Sequence, residues 1–587
     1  MSHDLKIKGA RVLDGSGKNA FTADVAIKDG VIVEVGKVTG PAHREIDADG
    51  ALLTPGFIDI HTHYDAQAMW DSTLESAVRH GVTTAVMGNC GVGFAPLKPE
   101  TRHNIIDLMA GVEDIPPDVL NDGLDWNWRT FGEYLDRLAA VERPIDLAAQ
   151  VPHDAVRLFV MGERAAKQEQ ATADDIAAMQ AVLREGLLAG AIGFSFGRVF
   201  GHKMRSGGTT PSYFADHSEL EALASVLKNL PYRVLQGVTD GRMHEGPDSF
   251  EPEFKVVERM LSAAGRPMSI NLNQKSIPAS QDDWLKTLAL SDRMATEGKS
   301  LRFQVGVSGT GSMMGLTSSQ DPLSPYPSYR AIAHLPLNER VTALKDPQLK
   351  ARVLGEKPEL RDGDHENIRR AYNVMAALGD NAPFLFLLGE KINLEPTQQE
   401  SVAGIAAATG KSQLEVIYDF LHTRGGKALL MYKRFSYITG DLSAIYQMLM
   451  HPATVFGLAD AGAHLGYVCE NAFTTRALTF WPRDRVRGPH IELPKVVHML
   501  TGKIAEHLGM NDRGKIAVGL KADINIIDYD RLSFDQPYAV RDLPAGGRRF
   551  LQESHGYLAV IAGGQTIVEN DATTGMKPGK LFRARAA

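Results

Sequence analysis

The chain has 587 residues, 44% hydrophobic and 23% charged, enough to bury a core in more than one structural unit and too apolar for a disordered protein. A formal net charge of −8 leaves no basic footprint for nucleic acid or an anionic membrane surface. No apolar run approaches the roughly 20 residues of a membrane-spanning helix. The opening Met1-Ser2-His3-Asp4-Leu5-Lys6 lacks the pattern of a secretory signal, and two cysteines, Cys90 and Cys469, exclude a disulfide framework, so a cytoplasmic location is expected.

The first fifty residues read as short strands. Leu5 to Leu13 alternates, Gly15 and Gly17 turn the chain, and Asp29-Gly30 splits Asp24–Ile27 from Val31–Val35 as a hairpin signal. The last eighty residues have the same texture, in Ala522–Asp528 and Leu558–Gln565. Between them apolar strands alternate with helices. Thr172 to Asp175 forms a capping box, Ile176, Met179, Leu183 and Leu187 share one helical face, and Gly190 ends the helix before the strand Ala191–Ser195. Continued along the chain, the pattern gives strands at 57–63, 83–89, 146–152, 191–197, 233–238, 268–273, 301–307 and 454–459. Eight such strands close a (β/α)8 barrel. The stretch from about 310 to 450 is too long for one connection and is expected to form a lid or subdomain over the barrel mouth.

The chemistry begins at Thr54-Pro55-Gly56-Phe57-Ile58-Asp59-Ile60-His61-Thr62-His63. Residues i and i+2 of a strand face the same way, so His61 and His63 can present two imidazoles to one zinc-type ion, with Asp59 and Asp65 as orienting groups; two buried structural histidines are the plain alternative. Asp460 ends the last strand at the edge where barrel chemistry sits. A carboxylate there can hold a metal and also take a proton from water, or can simply cap the following helix. Four residues on, His464 can hold a substrate or pack. Cys90, in Gly88-Asn89-Cys90-Gly91, reads as a metal ligand, a small buried hydrophobe, or a nucleophile with His80 or His153 as its base. His153, at the end of the third strand, looks into the mouth. Arg198, Lys203 and Arg205 follow the fourth strand, and Arg242 with His244 the fifth, a basic cluster suited to a substrate carboxylate. Glu113-Asp114 reads as an acidic pair at a helix end.

At these residues the chain resembles the D-aminoacylase branch of the amidohydrolase superfamily, the N-acyl-D-amino-acid deacylases. The shared patterns are the Thr54–His63 motif, Gly81-Val82-Thr83-Thr84, Gly88-Asn89-Cys90-Gly91, Gly190 to Ser195, and Gly519-Leu520-Lys521-Ala522-Asp523. The likeness is strongest to a longer subgroup with Gly-Leu-x-Asp-x-Gly-Ala-His, here Gly457 to His464.

The resemblance implies an α/β chain in three parts: residues 1–54 and 511–587 forming one small β-sandwich, and residues 55–510 forming a TIM barrel with the lid inserted. It implies zinc held by His61, His63, Cys90 and Asp460, with Asp460 as general base. It further implies hydrolysis of the amide of an N-acyl-D-amino acid, a small-molecule partner, and a homo-oligomer. His153, Arg198 and His464 are the candidate substrate contacts.

Relatives in that branch carry zinc-binding histidines at the ends of the fifth and sixth strands, where this chain has Gln236-Gly237-Val238 and Asn271-Leu272-Asn273-Gln274. One zinc per chain is therefore expected. The lysine that the branch places just after the sixth-strand histidine has no clear match. Hydrolysis of a lactone, ester, carbamate or cyclic amide on the same site, or a metal-free binding protein, are the competing expectations.

Overall fold

The computed structural model describes residues 2–309, 311–433 and 435–584. Both chain ends enter one nine-stranded sheet. Its order is Ala572–Thr573, Gln565–Glu569, Tyr557–Ala562, Ile524–Ile527, Leu52–Pro55, His3–Val12, Phe21–Lys28 and Val31–Gly36, with Ala42–Asp47 pairing to His3–Val12. The sheet curls until its far hairpin meets the C-terminal part again, through Ile32 N–H to Leu520 O and Ala522 N–H to Gly30 O. Ile7, Val25, Ile27, Ile526 and Ile561 fill the interior so formed. The expected sandwich is thus, by its hydrogen bonds, a single folded sheet.

Leu52–Pro55 runs straight into the barrel. Eight parallel strands follow in spatial order: Phe57–Asp59, Val82–Met87, Asp146–Pro152, Gly193–Arg198, Val234–Thr239, Met268–Asn271, Leu301–Val305 and Thr454–Phe456. A parallel bridge between Thr62 and Ala461 joins the last strand to the first. Around it, Asp460 N–H donates to His61 O at 3.0 Å and His63 N–H donates to Ala461 O at 2.8 Å. All eight expected strands occur. The first and last end earlier than the sequence suggested, so the H-x-H motif and Asp460 lie just beyond the regular strands, on the seam that closes the barrel. The helix Ala173–Ala189 starts on the reciprocal Thr172–Asp175 cap and stops at Gly190, where φ is 119°.

Beneath the mouth the bore is polar. Gln150 Nε2 donates to Asn89 Oδ1 at 3.0 Å, Gln304 Nε2 donates to Ser269 Oγ at 3.0 Å, and Gly91 N–H donates to Ser195 Oγ at 3.2 Å. These bonds satisfy buried amides that would otherwise cost free energy on folding.

The insertion after the seventh strand contains a three-stranded antiparallel sheet of Gly311–Met314, Leu430–Lys433 and Leu385–Leu387. Helices that include Leu337–Leu344, Glu366–Ala376 and Gln413–Leu421 pack with it around Leu316, Tyr329, Leu344, Ile417 and Tyr418. The insertion therefore has a core of its own. Its helix Glu366–Ala376 carries Arg370 and Asn373 to the barrel cavity. Among the described residues no helix is long and apolar enough to cross a membrane.

Candidate active site

A cavity of about 630 Å³ opens at the C-terminal ends of the barrel strands and reaches under the insertion. His61, Cys90, Asp460 and His464 all line it. At one corner the ring nitrogens of His61 and His63 and the Cys90 sulfur approach one another within 4.8 Å. His61 Nε2 lies 3.2 Å from Cys90 Sγ and 3.2 Å from Asp460 Oδ1, and His63 Nε2 lies 3.9 Å from the same oxygen. Zinc bonds of 2.0–2.3 Å in a tetrahedron place the ligand atoms roughly 3.3–3.8 Å apart. The two histidines and Cys90 fit such an ion in chemistry, and His61 Nε2 stands at about that spacing from both Cys90 Sγ and Asp460 Oδ1.

The local backbone explains why these atoms meet. Cys90, Asp460 and His464 have φ of 60°, 49° and 49°, left-handed conformations that non-glycine residues adopt at a cost of about 1–3 kcal/mol each. Gly88 (φ +76°) sets up the Cys90 turn, and a Cβ there would lie 2.3 Å from the Gln150 carbonyl oxygen. His61 and His63 are almost completely buried, whereas the Asp460 side chain remains 18% exposed, toward the cavity.

The outer nitrogen of each imidazole also has a neighbour. His61 Nδ1 is 2.6 Å from Gln304 Oε1, and His63 Nδ1 is 3.4 Å from Glu113 Oε1. Both arrangements turn Nε2 toward Asp460. Asp59, expected to orient a ring, instead accepts the His61 backbone N–H at 3.1 Å. Asp65 accepts from the Gly88 backbone.

The electrostatics also suit a cation. Burial, opposed in part by the His61 backbone bond, pushes Asp59 up to about 8, and burial pushes Asp65 up to about 7. Burial raises Glu113 well above the ordinary carboxylate range, with Asp460 and Asp65 adding to the rise, and burial raises Asp460 against the pull of His61. The Cys90 thiol is driven up by burial and by the nearby Glu113, Asp460 and Asp65. A divalent ion reverses this logic, since it favours the deprotonated thiol and carboxylates. Neither base named for a Cys90 nucleophile reaches it: His80 is bound to Thr475 and to the Gln552 carbonyl, and His153 to Glu219.

Several expectations are corrected. His153 does not face the cavity; its Nε2 is 2.7 Å from Glu219 Oε1 in a buried cluster that also contains Arg157. Arg198 is likewise buried, 2.7 Å from Glu253 and donating to the Ala215 carbonyl. Both strand ends turn these side chains into the barrel wall, where a buried charge requires a partner. His244 stacks on Phe200 at 4.0 Å and contacts the Tyr213 hydroxyl at 3.0 Å, while Lys203 lies over Phe200 and Arg242 over Tyr213. The expected basic cluster is a rim of cations on aromatic rings.

Glu113, read as half of an acidic pair at a helix end, is 1% exposed and stands between His63 and His464. Its neighbour Asp114 accepts from Ser319 Oγ at 2.6 Å and from Gly466 N–H at 3.1 Å. The structure also adds His202, Lys275, Arg370 and Tyr467 to the cavity wall. Arg370 donates to the Tyr467 hydroxyl at 2.6 Å, and that hydroxyl is 3.0 Å from His464 Nδ1. Lys275 Nζ pairs with Asp283 Oδ2 at 3.0 Å.

A model of the amidohydrolase family matches residues 44–568, so the chain belongs to the amidohydrolase family and is built as a metal-dependent hydrolase. It is 27% identical over 600 residues to an uncharacterized protein of Mycobacterium tuberculosis, across 97% of this chain and 92% of that one. Two of the solved structures that share the fold are deacylases. One is a D-aminoacylase with a binuclear metal center, described as activated by one metal and attenuated by a second, with TM-score 0.65, 22% identity, and coverage of 99% of this chain and 100% of that one. The other is an N-acyl-D-glutamate deacylase from Bordetella bronchiseptica, complexed with zinc and a phosphonate mimic of the tetrahedral intermediate. It gives TM-score 0.64 and 22% identity and covers 100% of both chains.

Proposed function

We propose that the protein hydrolyses the amide of an N-acyl-D-amino acid with one zinc ion per chain, held by His61, His63, Cys90 and Asp460. The observation that carries this reading is the convergence of two imidazole nitrogens and one thiol sulfur within 4.8 Å of one another in one corner of the cavity, with the Asp460 carboxylate oxygen 3.2 Å from His61 Nε2 beside them. A zinc ion bound there polarises a carbonyl and brings the pKa of a water to about 7.

Asp460 is the general base. Its side chain, open to the cavity, takes a proton from the attacking water and then passes it to the amide nitrogen, so that the C–N bond breaks to a carboxylic acid and a free amine. His464, on the same loop, lines the cavity on the side of Glu113 away from His63. Arg370, a guanidinium on the cavity wall, is suited to pairing with the substrate carboxylate.

A single ion is favoured by what the fifth and sixth strands do with their amides. Gln236 Oε1 accepts the Cys90 N–H at 2.9 Å, and Asn271 exchanges bonds of 2.8 and 3.1 Å with the Thr239 backbone. Both side chains are committed to the scaffold.

The test is turnover of paired N-acyl-D- and N-acyl-L-amino acids by zinc-loaded protein, with chiral detection of the free amino acid. D-selective release, abolished by a chelator and lowered about 10²–10⁴-fold in kcat by Asp460→Asn with the fold intact, is expected. Unchanged turnover in that variant refutes the role given to Asp460. Turnover of lactones or cyclic amides alone refutes the substrate class.

A further inference from the structure

We infer that Gln304, on the seventh barrel strand, is a positioning residue that fixes the tautomer of His61 and sets how tightly the site holds its metal. The inference rests on the ligand set proposed above.

A carbonyl oxygen has no proton to give, so Gln304 Oε1, 2.6 Å from His61 Nδ1, can only accept from it. The ring then carries its hydrogen on Nδ1, and the lone pair on Nε2 points at the space shared with Cys90 and Asp460. Turned end for end, the carboxamide would present an N–H to Nδ1, favour hydrogen on Nε2, and close that side of the site to a cation.

The carboxamide is also enclosed. Gln304 is fully buried, its Nε2 donates to Ser269 Oγ at 3.0 Å, and Gly457, just past the neighbouring strand, packs so closely that a Cβ there would lie 2.8 Å from Gln304 Cβ. The two imidazoles are thereby treated differently. His63 Nδ1 lies 3.4 Å from the Glu113 carboxyl without a hydrogen bond, whereas His61 Nδ1 is hydrogen-bonded to a neutral amide. A neutral acceptor withdraws less of the Nδ1–H proton than a carboxylate does and leaves Nε2 a poorer donor to the metal. Gln304 therefore both permits metal binding and holds it below the affinity that a carboxylate would give.

The experiment measures zinc affinity by competition with a chromophoric chelator, and the cobalt(II) absorption spectrum of the substituted protein, for wild type, Gln304→Met, Gln304→Glu and Ser269→Ala. Methionine keeps the length and volume but removes the acceptor; glutamate keeps an acceptor oxygen. Zinc affinity is expected to fall about 10- to 100-fold in Q304M with an altered cobalt spectrum, and in Q304E to equal or exceed that of wild type. Affinity within twofold of wild type in Q304M, or an equal fall in Q304E, overturns the inference. If Q304M does not fold, S269A decides. It leaves His61 and Gln304 in place but frees the carboxamide to turn, and weaker zinc binding supports the inference where unchanged binding overturns it. Because the readout is metal affinity, wild type that binds no zinc refutes the proposed function, whereas zinc-binding wild type with unaffected variants refutes only the role of Gln304.

Discussion

Glu219 shows how a charged side chain near the mouth can be structural. Burial alone would raise its pKa, but bonding to His153 and the charges of His153 and Arg157 outweigh it and leave the carboxyl below its ordinary value. A carboxyl depressed in the folded state stabilises the fold above its unfolded pKa, near 4.5, and loses that contribution as pH falls through the folded value. Glu219→Gln should therefore lower stability by about 3–5 kcal/mol at pH 7, since it strands Arg157. The gap to wild type should narrow in thermal melts below pH 4, and an undiminished gap would contradict the assignment.

Arg370 is predicted to behave differently, because it faces the cavity. Arg370→Met should raise KM about tenfold or more while changing kcat less, the pattern of a lost substrate contact; a fall in kcat alone would point elsewhere. The sequence could separate neither case. His153 and Arg198 stand at strand ends, the right place for site residues, and only the partner each finds in the barrel wall shows their side chains turned away. Arg370 and Glu113 lie far from the H-x-H motif in sequence and carry no spacing signal. The helix Glu366–Ala376 and the end of the helix Arg102–Val112 bring them to the cavity.

The strands, by contrast, were legible because each is a short apolar run bounded by turn residues or a capped helix. His61, His63 and Asp460 could be read as neighbours because the first and last barrel strands must meet if the barrel closes. What could not be read is that both strands end early, and that the Cys90 and Asp460 backbones then turn left-handed to aim their side chains. The Gly88–Gly91 turn is the clearest case. Gly88→Ala forces a Cβ toward the Gln150 carbonyl and a left-handed conformation that alone costs about 1–2 kcal/mol. Calorimetry should show a lower melting temperature, and zinc titration a weaker site, since the same turn presents Cys90. Normal stability together with normal zinc binding would mean that the turn has room which the 2.3 Å contact denies.

Considered as one molecule, the chain places a polar, hydrogen-bonded bore beneath a cluster of acidic groups and roofs the cavity with an insertion that has its own core. The overall architecture followed from the alternation of elements and from the β-rich texture of both ends. The continuity of the terminal sheet did not, because a strand's partner is chosen by long-range packing that local pattern does not encode. The proposed ligand set predicts one strong metal site, since the Gln236 and Asn271 amides are committed to the scaffold. Metal content per chain, measured by elemental mass spectrometry on protein purified without added metal and again after zinc loading and desalting, tests this most directly. About one zinc per chain, the loading of a single catalytic site, is the predicted result; two ions retained per chain, or none even after loading, would contradict it.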